Sequence, residues 1–593
     1  MTEIRKGLGK IAINKAYALI DYSIQNTLDK QFEFMNKIIR ADKSITKNEK
    51  LYAIKELNKD FDYYKLLLNE GTKRICENCH DECLATLFCE HCVRNYLKEN
   101  FSNWTSGNND IDDLIQQCQL EILRPDRIVE WIPYNKFKNI NFLTKGGCSE
   151  IYTAVWVDGC YEEWNSKENQ LKRFGNQRVV LKKLENVESA NRSWFEEGKS
   201  HLSMSNKYAQ VVSCFGLTKN PSDGNYMLVI GYMDINLKVY IQQNHNKLIW
   251  KERIQIINDI IFALSNIHQE NTIHRDLHSG NILFGQHIQQ FQISDFGFCG
   301  PADKPLNSIY GNLPYIAPEV ISGKETTFAS DIYSIGILMW EISSGQPPFI
   351  NFENDYCLAM NIINGMRPKI VPGTPLEYKE LMEQCWDADP IKRPDIITLL
   401  YKIIEMNRLN YQNELNKNKS NKSIVKKLTE KFRLSKSKAN TVSKINEINN
   451  FEISSNTSSR LFTSKVYQFK NLPEPKNATE EEQEGYYYFM FDLNLNKYLL
   501  KYFKKNLASI TMLLIPLVDD FNNDENISES SNIKDDKKSF EVFENVQNDY
   551  AKEIFQQVKK HNIDNIDDED GIYNNPNLHS EEQDELEIPE DGF

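Results

Sequence analysis

Long apolar runs are missing from this 593-residue chain. Its most hydrophobic stretch, ITMLLIPLV at 510–518, contains Pro516 and falls well short of the roughly 20 residues that cross a bilayer. A buried strand or helix is expected there instead. The N-terminal run MTEIRKGLGKIAINKAYALIDY has no apolar block ahead of a small-residue cleavage site, which argues against a secretory leader. A cytoplasmic or nuclear location is therefore expected, and with it reduced cysteines. Basic charge is also short. Against 84 Asp and Glu stand 70 Lys and Arg, and the formal charge of -14 has the wrong sign for a general nucleic-acid binder. No internal repeat recurs along the chain.

What the sequence does contain is enough for a core, at 40% hydrophobic residues, and enough length for two to four units or a core with tails. Residues 1–72 are read as helical: Leu51, Ile54, Leu57, Phe61, Tyr64, Leu67 and Leu68 follow each other at helical spacing, Thr46 and Glu49 form a capping box, and Gly71 is a stop. A helical hairpin is expected. Residues 73–95 form a cysteine-rich module and 96–136 a linker. From 137 to 406 short β-like runs (EIYTAVWV, VVLKKL, YMLVIGYM) precede helical ones (IQIINDIIFALSNIHQ, ASDIYSIGILMWEISSG), a segregation that predicts an α+β body with a small sheet-rich part and a larger helical part. Residues 407–460 read as a basic Asn/Lys/Ser-rich linker and 519–593 as an acidic tail, both fitting disorder. Between them, 461–518 has the aromatic and aliphatic content of a small ordered patch or a docking segment.

The chemistry concentrates in HRDLHSGNIL at 274–283, where Asp276 and Asn281 are a loop length apart, and in ISDFGF, where Asp295 precedes a flexible Phe-Gly pair. Two carboxylates and an amide are hard oxygen ligands or bases, suited to Mg²⁺ and to accepting a hydroxyl proton. Upstream, TKGGCSEIYTAVW places small residues at a hairpin tip, where backbone N–H groups can approach an anion, and Lys182 brings a positive charge at the end of a strand.

In that order these motifs resemble the protein kinase superfamily across 137–406. The glycine-rich loop falls at Thr144, Lys145, Gly146, Gly147, Cys148 and Ser149, with Ile151 beyond it; HRDLHSGN matches the catalytic loop, and DFG (295–297) and APE (317–319) follow in sequence. The resemblance implies a bilobal kinase fold with a β-rich N-lobe and a helical C-lobe, flanked by the helical and Cys-rich module and a largely disordered C-terminal tail. It implies ATP and Mg²⁺ as cofactors and protein substrates as partners. Lys182 would hold the ATP phosphates and pair with Glu197, with Glu196 the competitor. Asp295 and Asn281 would ligate Mg²⁺, Asp276 would take the acceptor proton, and Arg275 would order the activation segment. Ile230 would guard the adenine pocket, with Gly231, Tyr232 and Met233 as hinge. Glu319 and Arg393 would form a structural ion pair.

Departures are present too. Thr144 and Ser149 replace loop glycines, His278 replaces the lysine usual in serine/threonine kinases, and Asn312 replaces a threonine. The set is most similar to the tyrosine-kinase-like group, whose members mostly phosphorylate Ser or Thr. A pseudokinase scaffold, motivated by the altered loop, is the rival.

Finally, CENCHDECLATLFCEHC pairs Cys76 with Cys79 and Cys89 with Cys92 in two CxxC knuckles, four thiolates suited to a structural Zn²⁺. Cys83, His80 and His91 are the alternative ligands. Such a module serves partner binding, and an adaptor function is the third reading.

Overall fold

Three helices open the chain, α1 (Lys6–Ala18), α2 (Leu28–Ala41) and α3 (Lys47–Leu68), where the spacing predicts a hairpin. The computed structural model describes residues 5–145, 149–184, 193–286, 288–295, 309–350, 352–431, 464–469 and 472–486, with 193–197, 200 and 415–431 described by backbone alone. α3 starts at the expected capping box: the Thr46 hydroxyl accepts from the Glu49 amide, and the Glu49 carboxylate accepts from the Thr46 amide at 2.7 Å. It stops at Asn69, in the left-handed region at φ +52°, before Gly71 is reached. One face of α3, with Ala53 and Leu57, packs on Ile13, Ala16, Met35 and Ile39. Leu51 and Leu68, which fit the periodicity, lie exposed. A buried Asp62–Lys65 pair at 3.2 Å faces the cysteine-rich loop, where Asp62 accepts the amides of Thr86 and Leu87.

That loop holds a two-residue ladder, β1 (Arg74–Ile75) with β2 (Glu82–Cys83), followed by α4 (Glu90–Glu99). The stretch 96–136 is folded, not a simple linker. Its α5 (Asn109–Leu120) is capped by the Asn108 side chain and buries Ile111, Leu114, Ile115 and Cys118, whose helical spacing sits among polar residues that mask it. Then β3 (Glu130–Trp131) joins a six-stranded sheet with β4 (Phe137–Lys145), β5 (Glu150–Trp156), β8 (Gln177–Lys183), β9 (Cys214–Lys219) and β10 (Tyr226–Gly231), ordered β3-β9-β10-β8-β5-β4. Only β3 with β9 is parallel. A separate hairpin, β6 (Tyr161–Asn165) and β7 (Gln170–Arg173), is inserted between β5 and β8, and its Trp164 and Leu171 share a core with the four knuckle cysteines' module. α6 (Ser193–Lys207) packs on β9.

The second lobe is mostly helical. It runs β11 (Ile235–Asn236), α7 (Leu237–Asn244), α8 (Trp250–Gln269), β12 (Ile282–Gly285), β13 (Gln290–Ile293), β14 (Ile309–Gly311), α9 (Pro318–Ile321), α10 (Phe328–Ser344), α11 (Tyr356–Ile363), α12 (Leu376–Cys385) and α13 (Ile396–Lys431). α10 is apolar nearly all round, so it becomes the core: Ile335, Leu338, Met339 and Ile342 are fully buried. At about 2 kcal/mol per buried aliphatic side chain, such a helix anchors the lobe. α13 continues beyond 406 into the stretch expected as linker because Leu399, Ile403, Asn407 and Tyr411 keep a four-residue buried spacing against α8. No described helix is long and apolar enough to cross a membrane. In the 461–518 region, 464–469 and 472–486 lie on this second lobe, with β15 (Lys465–Tyr467) paired to β14. Residues 487–518 and the acidic 519–593 lie outside the described residues.

Candidate active site

Lys182 sits in a central strand, opposite Ile151 of β5 and Leu228 of β10. Its neighbours leave it almost buried, and its ammonium meets Asp295 at 3.2 Å. Strand pairing fixes the position of Lys182 in the sheet, and the packing of the two lobes brings Asp295 to it. Asp295 follows β13 in the left-handed region at φ +53°, a conformation that costs an aspartate about 1 kcal/mol and suits a held, functional carboxylate.

The loop carrying Asp276 is fixed from below by a buried aspartate. Asp331, in the first turn of α10, accepts the backbone N–H of His274 at 2.8 Å and of Arg275 at 3.0 Å, and meets His268 Nε2 at 2.9 Å. Arg275 is thereby held at φ +70°, with its side chain exposed. His274 Nε2 lies 3.1 Å from the Ser294 carbonyl, tying the loop to the strand that delivers Asp295, and burial lowers its pKa. From the other side, Asn281 Nδ2 donates to the Asp276 carbonyl at 2.9 Å, and the Ser294 amide and hydroxyl both donate to the Asn281 carbonyl. The amide nitrogen of Asn281 is thus engaged, while its Oδ1, the oxygen able to ligate a hard cation, has no hydrogen-bond partner among the described residues.

Asp276 is 5% exposed. Burial pushes its pKa up, but the interaction with His278 and the hydrogen bond from Ser464 outweigh this and hold it below the ordinary carboxylate range. It is therefore ionised at neutral pH. His278 was legible only as a departure from the family pattern; in the fold its Nδ1 accepts the Gly280 amide at 3.0 Å, so Nε2 carries the proton, and that nitrogen lies 3.7 Å from Asp276 Oδ2. A deeper network supports the loop: Glu341 accepts Ser279 Oγ at 2.9 Å and the Tyr315 hydroxyl at 2.7 Å. Burial raises the Glu341 pKa to about 6. None of these three stands out in the sequence, because each acts through a partner remote in the chain.

Ile230 packs with Ile151, Val180 and Met233 in the core of the first lobe, and Gly231 donates its N–H to Ser213 O at 2.8 Å as the chain leaves β10. Tyr232 and Met233 follow at the junction of the lobes, with the Arg178 guanidinium over the Tyr232 ring at 3.7 Å. Thr144 pairs with Ile151, and Lys145 meets Glu150 at 3.4 Å. Ser149 is buried, while Gly146, Gly147 and Cys148 lie outside the described residues. Glu196 and Glu197 fall within α6, but their side chains are outside the described residues. Glu319 and Arg393 form the expected pair, bidentate at 2.8 and 2.7 Å and buried. Tyr310, between the DFG and APE motifs, lies in β14.

The cysteines converge as well. The ligand atoms of Cys76, Cys79, Cys89 and Cys92 all lie within 4.8 Å of one another, with Cys76–Cys92 at 3.7 Å and Cys79–Cys89 at 3.6 Å. β1, β2 and the start of α4 bring the two knuckles together, and Arg74 donates to the carbonyls of Ala85 and Phe88 between them. His80 is exposed, and His91 Nε2 is 3.0 Å from the Glu82 carbonyl, so neither is in the cluster. Cys83 belongs to an adjoining group with Cys89 and Glu90.

Residues 137–403 match the family described as protein tyrosine and serine/threonine kinase. Over 227 residues the chain is 30% identical to the probable serine/threonine-protein kinase roco8 of Dictyostelium discoideum, covering 36% of this chain and 12% of that protein. Over 206 residues it is 29% identical to the dual specificity protein kinase zakA of the same organism, with 32% and 26% covered. The human dual serine/threonine and tyrosine protein kinase is 34% identical over 163 residues, with 26% and 17% covered. The chain spans about a quarter or less of the length of these relatives.

Proposed function

Residues 137–403 form a protein kinase domain, and from that premise we propose that the chain transfers the γ-phosphoryl group of Mg-ATP to protein hydroxyls, serine and threonine before tyrosine, as a signalling enzyme. The observation that carries this is the convergence of Lys182, Asp295, Asn281 and Asp276 from three separate segments on one cleft. Phosphoryl transfer asks the protein for position and charge more than for covalent chemistry. Lys182 neutralises phosphate oxygens. Asp295 and the Oδ1 of Asn281 offer hard oxygens for Mg²⁺, which when bound screens the charge between nucleotide and carboxylates. Ionised Asp276 orients the acceptor hydroxyl and takes its proton. Ile230 limits the depth of the adenine pocket, with backbone of Gly231 to Met233 along its rim, and Glu197 in α6 is the partner assigned to Lys182. The relatives named as serine/threonine and dual-specificity kinases support the acceptor class.

Incubating the full chain with radiolabelled ATP, Mg²⁺ and casein tests the reading. Label in casein that Asp276→Asn abolishes is the expected result; ATP binding with no transfer by the unaltered chain would establish a pseudokinase scaffold instead.

We further propose that the cysteine cluster holds a structural Zn²⁺. Tetrahedral thiolates at about 2.3 Å from zinc stand about 3.8 Å apart, and the observed sulfur separations fit that edge. The ion would fix a module that cannot build a full core from so few residues.

A further inference from the structure

The cleft described above is not open to every acceptor, because a later part of the same chain lies across it. β15 adds to β14 as an antiparallel strand, with Ile309 opposite Tyr467, Tyr310 opposite Val466 and Gly311 opposite Lys465. Strand addition of this kind is how extended peptides are bound, through main-chain bonds and pockets for alternate side chains. The residue just before the strand is Ser464. Its Oγ donates to Asp276 Oδ1 at 2.8 Å and accepts from His278 Nε2 at 3.2 Å. A serine hydroxyl therefore occupies the position where an acceptor would give up its proton.

The remainder of the segment is anchored away from the chemistry. Tyr467 is buried and stacks on Phe469, whose ring meets Tyr356 edge-on at 6.0 Å. Ser322 donates to the Pro473 carbonyl at 3.0 Å. Asn477 accepts the Ala388 amide at 2.8 Å and donates to Asp387 at 2.9 Å. Gln483 accepts the Arg367 amide at 3.1 Å and donates to the Gly365 carbonyl. Gly365 is required: at φ +99° a Cβ there would stand 2.2 Å from the Ala478 amide nitrogen. So complementary a surface favours this segment as occupant over an unrelated peptide.

We propose that Ser464 is a phosphoacceptor of the chain's own active site, presented in cis by the docked stretches 464–469 and 472–486, which exclude other protein substrates until it has been modified. This rests on the kinase reading above. In the step, Ser464 Oγ forms a bond to the γ-phosphorus of ATP and the bond from that phosphorus to the β–γ bridging oxygen breaks. ADP departs with the electron pair, and the hydroxyl proton passes to Asp276 and on to water. The product places roughly two negative charges beside Asp276 and Asp295, and like-charge repulsion drives the strand from the cleft. The docked sequence SKVYQF also defines the preferred substrate: a serine with aromatic residues three and five positions after it, whose rings stack on each other.

The full chain, dephosphorylated and given Mg-ATP and casein, tests this by phosphopeptide mapping over a tenfold range of protein concentration. Phosphate on Ser464, appearing at a rate constant independent of concentration, is expected. A rate rising in proportion to concentration would overturn delivery in cis, and labelled casein with Ser464 unmodified would overturn the acceptor assignment while leaving the kinase reading intact. No phosphate on either would remove the kinase reading itself. The double variant Asn477→Ala/Gln483→Ala, altered at the anchoring contacts, is expected to slow Ser464 modification about thirtyfold, from the loss of four hydrogen bonds, while casein labelling accelerates. Unchanged rates on both would also overturn the proposal.

Discussion

The cysteine cluster and the candidate active site are both sets of side chains brought to one point, and they are assembled in opposite ways. Cys76, Cys79, Cys89 and Cys92 come from one short loop, and a hairpin plus one helix start suffice to close the cluster. Lys182, Asp276, Asn281 and Asp295 come from a strand of one lobe, a loop of the other and the end of β13. Their meeting depends on the sheet register, on Asp331 under the catalytic loop, and on the packing of the lobes. A local site can fail alone. A distributed one depends on its supports, and its ligands gain precision from them.

Removing metal should produce the largest effect, since the free energy of structural zinc binding is on the order of 10 kcal/mol and most of it is folding energy. Cys89→Ser should take zinc from one equivalent to none by metal analysis and melt the 73–95 module, while phosphate transfer persists. Loss of transfer together with zinc would break the separation between the two sites. Next, Asp295→Asn should lower transfer about a thousandfold, or about 4 kcal/mol, with the melting temperature of the chain unchanged. A fall in melting temperature of comparable size would show Asp295 to be a structural group.

Two further substitutions sharpen the role of the supports. Arg393→Ala leaves buried Glu319 without its bidentate partner and should destabilise the second lobe by about 3 kcal/mol, read by denaturant midpoint. The smallest effect is a pH profile. Burial raises Glu341 to about 6 from an ordinary 4.5, so its contribution to stability is full below about 4.5 and is lost as pH rises through 6. The loss amounts to about 2 kcal/mol, from about 1.4 per unit. Glu341→Gln should flatten stability between about pH 4.5 and 6, and an identical slope in the variant would reject that assignment.

Much of this was readable in the chain. The strands β5, β8 and β10, the helices α8 and α10 and the Thr46–Glu49 box follow from periodicity and capping, which act over a few residues. The motif residues Lys182, Asp276, Asn281 and Asp295 were legible by their order, and the Glu319–Arg393 pair with them. Less visible were α5, whose apolar stripe is diluted by Asp and Gln, and the extension of α13, whose buried Asn407 and Tyr411 look like surface residues. Glu341 and Tyr315 gave no signal, because a polar residue announces nothing until its partner is adjacent.

The sequence alone determined which residues the ordered motifs single out and that four sulfurs would gather, because spacing within a loop fixes distance within a few ångströms. Only the tertiary structure decided which hydroxyl stands before Asp276. Ser464 lies 188 residues further along the chain, and its place comes from a strand pairing and a set of anchoring hydrogen bonds that no local pattern encodes.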